Sequence, residues 1–199
     1  MKAHLHLING YKKLYKTLDK GAVFCAVDTE TTGLHCGKDR ITEISAVKFN
    51  FQGVTDRFST LLNPGILIPP FCVNLTHITN EMVSSAPKFD QIAQSFLDFT
   101  EGAIIVAHNA QFDLRFINAE LEFLGKAPLA NRAIDTLKLS RYIFPDNEHW
   151  SLQHLAKQFN IEVNAAHRAE DDARVCMELF LICLEELKKN QGKPSQRLA

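Results

Sequence analysis

The chain has 199 residues, 46% hydrophobic and 23% charged, with a formal net charge of −1. That suits one domain with a full core and short tails; the balanced charge argues against a tight, strongly basic nucleic-acid binder, but not against an enzyme that draws positive charge from bound divalent ions. No apolar run approaches the roughly eighteen residues that would span a bilayer, and the stretch from Met1 to His6 has no signal-peptide core, so no membrane association and a cytoplasmic location are expected.

In chain order, residues 1–20 form an N-terminal segment with a short helix over 11–18. The apolar run 22–27, bounded by Gly21 and Asp28, predicts a buried central strand. Segments 41–51 and 55–62 are rich in Ile, Val, Phe and Thr and flank Gln52-Gly53, which predicts a hairpin paired onto the first strand. Asn63-Pro64-Gly65 ends it, and the proline-containing stretch 66–87 reads as irregular or as short helical turns. A helix over 89–99, a strand over 104–107 and a helix over 109–124 closed by Gly125 follow. Segments 134–142, 151–159 and 168–189 read as helices, with Asp135 and Ser151 as N-caps. One domain over 21–189 and a polar tail over 190–199 complete the chain. The order predicts an α/β protein with a mixed sheet, an antiparallel hairpin plus parallel strands, flanked by helices.

The five cysteines (Cys25, Cys36, Cys72, Cys176, Cys183) are scattered and form no CxxC pair. Neither a disulfide framework nor a zinc site is supported, and reduced, mostly packed thiols are expected.

Three blocks stand out: Asp28-Thr29-Glu30-Thr31-Thr32-Gly33, His108-Asn109-Ala110-Gln111-Phe112-Asp113 and His167-Arg168-Ala169-Glu170-Asp171-Asp172. Each places a carboxylate where the surrounding apolar pattern would bury it, and buried unpaired carboxylates protonate or hold metal ions. Asp28 and Glu30 leave the first strand at positions that share a face of an extended chain. Asp113 heads a helical stripe of Ile117, Leu121 and Leu124. Asp172 heads a sharper one, Cys176, Leu179, Cys183 and Leu187, from which Asp171 is rotated by about 100°. His167 stands just before or at that helix start, free to swing over the same site.

Taken singly, the first block also fits a polar strand end, and Asp113 a first-turn acid that complements the helix dipole. The conjunction of all three, in order and in matching contexts, favours a shared site. Carboxylates converging with a histidine suit two hard divalent cations about 3.5–4 Å apart. Asp28 would bridge them, Glu30 and Asp172 would complete one shell, Asp113 would hold the second ion, and His167 would act as general base.

These blocks, with Ile134-Asp135-Thr136-Leu137 and Leu139-Ser140-Arg141, resemble the DEDDh family of 3′→5′ exonucleases, including the proofreading epsilon subunits of bacterial DNA polymerase III, over residues 21–187. The resemblance implies an RNase H-like exonuclease fold, catalytic positions Asp28, Glu30, Asp113, His167 and Asp172, and two cations, Mg²⁺ or Mn²⁺, on the four acids. It implies release of nucleoside 5′-monophosphates, with Thr31, Gly33, Leu34, His108 and Phe112 holding the terminal nucleotide. The expected substrate is a single-stranded or frayed 3′ end of DNA, with a DNA polymerase catalytic subunit as a further partner. RNA trimming is the alternative within enzymes, and a non-catalytic scaffold the alternative outside them.

The chain departs from the family at His77, where a glycine often precedes the Ile-Thr pair, and from its short tail the long polymerase-binding extension of epsilon subunits is expected to be missing. Three other features read plainly. Glu43, on a strand near the active face, reads either as a residue supporting the site from behind or, the favoured reading, as a solvating charge on an edge strand. His149 and Trp150 flank the cleft or pack as surface groups. The segment from Gln94 to Phe99, which resembles a sliding-clamp-binding peptide, belongs to a helix whose Phe and Leu face the core.

Overall fold

The computed structural model describes residues 5–191, 193 and 194; residues 1–4, inspected above for a leader, and 192 and 195–199 of the polar tail lie outside the described residues. The chain opens with a two-residue strand β1 (His6–Leu7) and a 3-10 helix (Tyr11–Lys20). The apolar run becomes β2 (Phe24–Thr31), followed by the hairpin β3 (Ile41–Asn50) and β4 (Gly53–Leu61). Two short helices occupy the proline-containing stretch, α1 (Pro70–Thr76) and α2 (Asn80–Val83). Then come α3 (Phe89–Thr100), β5 (Ile104–Ala107), α4 (Gln111–Phe123), β6 (Arg132–Asp135), α5 (Thr136–Ile143), α6 (Leu152–Gln158) and α7 (Ala169–Lys189).

The sheet order is β1-β6-β5-β2-β3-β4, with β2-β3-β4 antiparallel and the remaining pairs parallel. This is the expected mixed sheet, extended by the edge strand β1, which the sequence pattern does not predict, and with two local differences in the expected elements. The first strand runs on to Thr31 because its ladder with β3 continues as far as Thr31↔Ile41, so Asp28 and Glu30 lie inside the strand rather than beyond its end. Segment 134–142 is not one helix: Ala133 and Ile134 pair with Ile105 and Val106 of β5, and the helix starts only at Thr136. Pairing with a strand far away in sequence overrides the helical spacing there.

Successive residues of β2 alternate between two apolar layers, as the pleat requires. Phe24 and Ala26 join Leu139, Leu155 and Phe180 beneath α5, α6 and α7, while Cys25 and Val27 join Phe96, Leu114 and Phe116 beneath α3 and α4. The α7 stripe is buried as its spacing predicts: Cys176, Leu179, Cys183 and Leu187 are each no more than 1% exposed. Burying each such leucine contributes about 2 kcal/mol. All five cysteines are free thiols, four buried and Cys36 half-buried. Phe96 is fully buried in α3, so the clamp-like segment is part of the core, as expected. Among the described residues, no helix is long and apolar enough to cross a membrane.

Candidate active site

The site forms where β2 outruns β5. The last β2–β5 partners are Ala26 and Val106, while β2 continues to Thr31, leaving one flank of its final turnless stretch without a strand. After Ala107 the chain bends through Asn109, which has a left-handed backbone (φ 64°), and enters α4. That bend brings Asp113, in the first turn of α4, against the open flank. Its Oδ1 accepts the Thr29 N–H at 3.0 Å and the Thr29 hydroxyl at 2.8 Å. A backbone donor that β5 no longer reaches is thus satisfied by a site carboxylate.

By the alternation of β2, Asp28 and Glu30 face the layer beneath α7. There Asp172 sits in the first helical turn, and its neighbours hold both its oxygens. Gln153 of α6 donates to Oδ1 at 2.9 Å, and the His167 N–H donates to Oδ2 at 3.1 Å. One ligand atom from each of Glu30, His167 and Asp172 lies within 4.8 Å of the others. Asp171, as its rotation predicts, looks elsewhere. It accepts the Asn164 and Ala165 N–H groups at 2.7 and 2.8 Å and pairs with Arg174, anchoring the loop before α7.

The electrostatics follow from this convergence. Burial, then the charges of Asp113, Glu30 and Asp172, push the Asp28 carboxyl well above the usual carboxylate range. Burial, with Asp172 next, pushes Glu30 up to about 8. Burial raises Asp113 to about 7 in spite of its hydrogen bonds from Thr29. Asp172 also rises through burial, offset by Gln153 and the His167 N–H. Four acids crowded this way retain excess negative charge that protons or cations must compensate.

The residues expected to hold a terminal nucleotide differ in exposure and in their contacts. Thr31 is buried and donates its hydroxyl to the Gly33 carbonyl. Gly33 packs so tightly that a Cβ there would lie 2.4 Å from Asp39 Oδ2, whose carboxylate accepts the His35 N–H. Leu34 projects from this loop, 75% exposed. Phe112 lies half-buried at the start of α4, its ring 4.9 Å from that of Phe116. Both ring nitrogens of His108 are engaged, Nε2 with the Trp150 carbonyl at 2.9 Å and Nδ1 with the Thr136 hydroxyl at 3.0 Å. Because a carbonyl only accepts, Nε2 carries the proton. Trp150 is thereby packed, its indole donating to the Phe144 carbonyl.

One reading is overturned. Glu43 is not an edge-strand solvating charge: β3 lies between β2 and β4, and Glu43 is 3% exposed opposite Glu30. It binds Arg168 through two hydrogen bonds and accepts the Ala169 N–H. Thr29 and Gln153 carry no periodic signal and were missed altogether. Glu43 carried one, an acid inside an otherwise apolar segment that reads as a strand.

This architecture, acids gathered at one end of a mixed sheet between flanking helices, is that of RNase H-like exonucleases. The nuclease domain of 3′hExo, a DEDDh family member bound to rAMP, shares the fold at a TM-score of 0.71 and 18% identity, over 89% of this chain and 97% of that one. Exonuclease X in complex with 5′ overhanging duplex DNA does so at 0.65 and 24%, over 83% and 92%.

The exonuclease (RNase T) family model matches residues 25–180, and the chain belongs to that family. It is 47% identical over 171 residues to the DNA polymerase III subunit epsilon of Treponema pallidum (strain Nichols), covering 85% of this chain and 80% of that protein. It is 40% identical to the PolC-type DNA polymerase III of Caldanaerobacter subterraneus subsp. tengcongensis over 83% of this chain, but spans only 12% of that longer protein. The protein is an epsilon-like 3′→5′ exonuclease.

Proposed function

We propose that the chain removes nucleoside 5′-monophosphates one at a time from DNA 3′ ends, in a proofreading or repair-like role. The observation that carries this reading is the meeting of Glu30, His167 and Asp172 within 4.8 Å, although they come from a central strand, a loop and a distant helix. The epsilon and PolC-type relatives support a polymerase-linked role, with a polymerase catalytic subunit as partner.

The donor set is hard carboxylate oxygen with one imidazole, which fits Mg²⁺ or Mn²⁺. Asp28, Glu30, Asp113 and Asp172 would hold two such ions. When bound, the ions would supply Lewis-acid activation of water and stabilise charge developing on the phosphate and leaving oxygen. Asp28 feels all three other acids, the position expected of the shared ligand. Thr29 keeps Asp113 pointed at the β2 flank, and Gln153 keeps Asp172 from rotating away.

His167 takes the proton of the attacking water, a task worth about 10²–10⁴-fold. Exposed Leu34 and the Phe112 ring offer apolar faces to the terminal base without reading its edges. His108, with both ring nitrogens engaged, contributes shape beside them rather than a hydrogen bond.

The test is digestion of a 3′-labelled DNA strand with Mn²⁺, alongside RNA of the same sequence. Labelled mononucleotides from DNA, absent with Asp28→Ala and with EDTA, are the expected result. Preferential RNA trimming would transfer the reading to an exoribonuclease; binding without hydrolysis would leave a scaffold.

A further inference from the structure

Asp172 lies in the first turn of α7, and His167 stands immediately before Arg168, the residue that caps it. Whatever sets this helix end therefore sets both groups. Helices α5 and α6 are capped by their own side chains, Asp135 and Ser151, but Arg168 makes no cap bond to α7. A strand supplies the cap instead. Glu43 Oε2 accepts the Ala169 N–H at 2.9 Å and Arg168 Nε at 3.0 Å, and Oε1 accepts Arg168 Nη2 at 2.8 Å. A carboxylate at a helix N-terminus complements the dipole, and the two-pronged guanidinium contact fixes direction as well as distance. Because Glu43 is the ladder partner of Glu30, the same side chain fastens α7 to the strand pair that carries the other half of the site.

His167 needs such a restraint. Its backbone is left-handed, with φ 60°, a conformation uncommon outside glycine whose cost its contacts must offset. The surroundings act from both sides. The His167 N–H is tied to Asp172 Oδ2, and the next residue is clamped on Glu43.

We propose that the Glu43–Arg168 pair is a positioning device for His167, holding its imidazole over the acids by fixing the first turn of α7 on β3. Neither residue reacts; both act through the histidine. The inference rests on the reading of His167 as general base.

The test is a double-mutant cycle on a single-stranded DNA oligonucleotide with Mn²⁺, using Arg168→Lys, His167→Ala and the combination. Arg168→Lys retains the charge but loses the fork. Glu43→Gln serves as a second probe that retains size, and thermal melting reports whether each variant folds. In the presence of His167, Arg168→Lys and Glu43→Gln are each expected to lower kcat about tenfold or more with KM within about twofold. In the His167→Ala background each should cost less than about twofold, because the group they position is gone.

Equal losses in both backgrounds would mean that the pair acts through Asp172 or through the fold rather than through His167, and would overturn the inference. Wild-type kcat in both single variants would overturn it as well. Wild-type turnover in His167→Ala by itself would instead remove the base assignment, and the inference with it, an outcome distinguishable from the other two.

Discussion

Thr29 gives both its backbone N–H and its hydroxyl to the same oxygen of Asp113, at 3.0 and 2.8 Å. The contact couples the central strand to the first turn of α4 and fixes where a site carboxylate points. Thr29→Val removes only the hydroxyl. We expect a loss of about 1–2 kcal/mol of stability in urea unfolding and a kcat lower by about tenfold as Asp113 gains freedom. Unchanged kcat would show that Asp113 is oriented by other means.

The neighbouring acids Asp171 and Asp172 should separate stability from activity. Asp171 holds two loop N–H groups and Arg174, so Asp171→Ala should cost about 2 kcal/mol or more in urea unfolding. Some turnover should survive below the melting transition. Asp172→Asn should abolish turnover while leaving the metal-free protein as stable or more so, because it removes one of several repelling charges. Loss of activity in both without a stability difference would contradict the division.

Acidity and metal binding should oppose one another in thermal melting. Glu30 and Asp113 are pushed up to about 8 and about 7, against 4.5 and 3.8 for the ordinary groups. The folded protein therefore holds these protons more tightly than the unfolded chain. The stabilisation from this source is complete below about pH 4 and is lost as pH rises through about 7 to 8. The metal-free Tm should fall between about pH 6 and pH 8.5, and the increase in Tm on adding Mn²⁺ should grow over that interval, since the cation replaces the protons. A Tm gain from Mn²⁺ that shrinks with rising pH would argue against ions among these acids.

His77 closes α1 in the left-handed conformation, φ 59° and ψ 15°, with its N–H on the Val73 carbonyl. The backbone thus keeps the shape that a glycine would adopt freely at this position, in spite of the departure visible in the sequence. His77→Gly should raise stability by roughly 0.5–1 kcal/mol, the relief of left-handed strain less the entropy of the added glycine. Measured by urea unfolding, a loss of stability would mean that the imidazole makes a contact worth more than the strain.

How far the chain could be read in advance follows from the range of the interactions involved. Asp172 was separable from Asp171 because helical rotation is a local property: Cys176, Leu179, Cys183 and Leu187 mark one face and Asp171 falls off it. Likewise Asp28 and Glu30 had to share a side of any strand containing both. Spacing therefore singled out the acids that the structure brings together and, with the three blocks in order, the chemistry proposed for them.

The tertiary structure decided what supports them. Arg132–Asp135 is a strand because β5 offers it a ladder, not because its own pattern asks for one. Glu43 is a buried cap for α7 because β4 pairs along the outer side of β3 and α7 packs across β2 and β3, which brings Arg168 within reach. Thr29 and Gln153 matter because they meet Asp113 and Asp172 across gaps of 84 and 19 residues. A hydrogen bond between elements depends on register and approach over a few ångströms, which no periodicity within a single segment encodes, whereas the direction in which a side chain leaves its own helix or strand is set by local geometry alone.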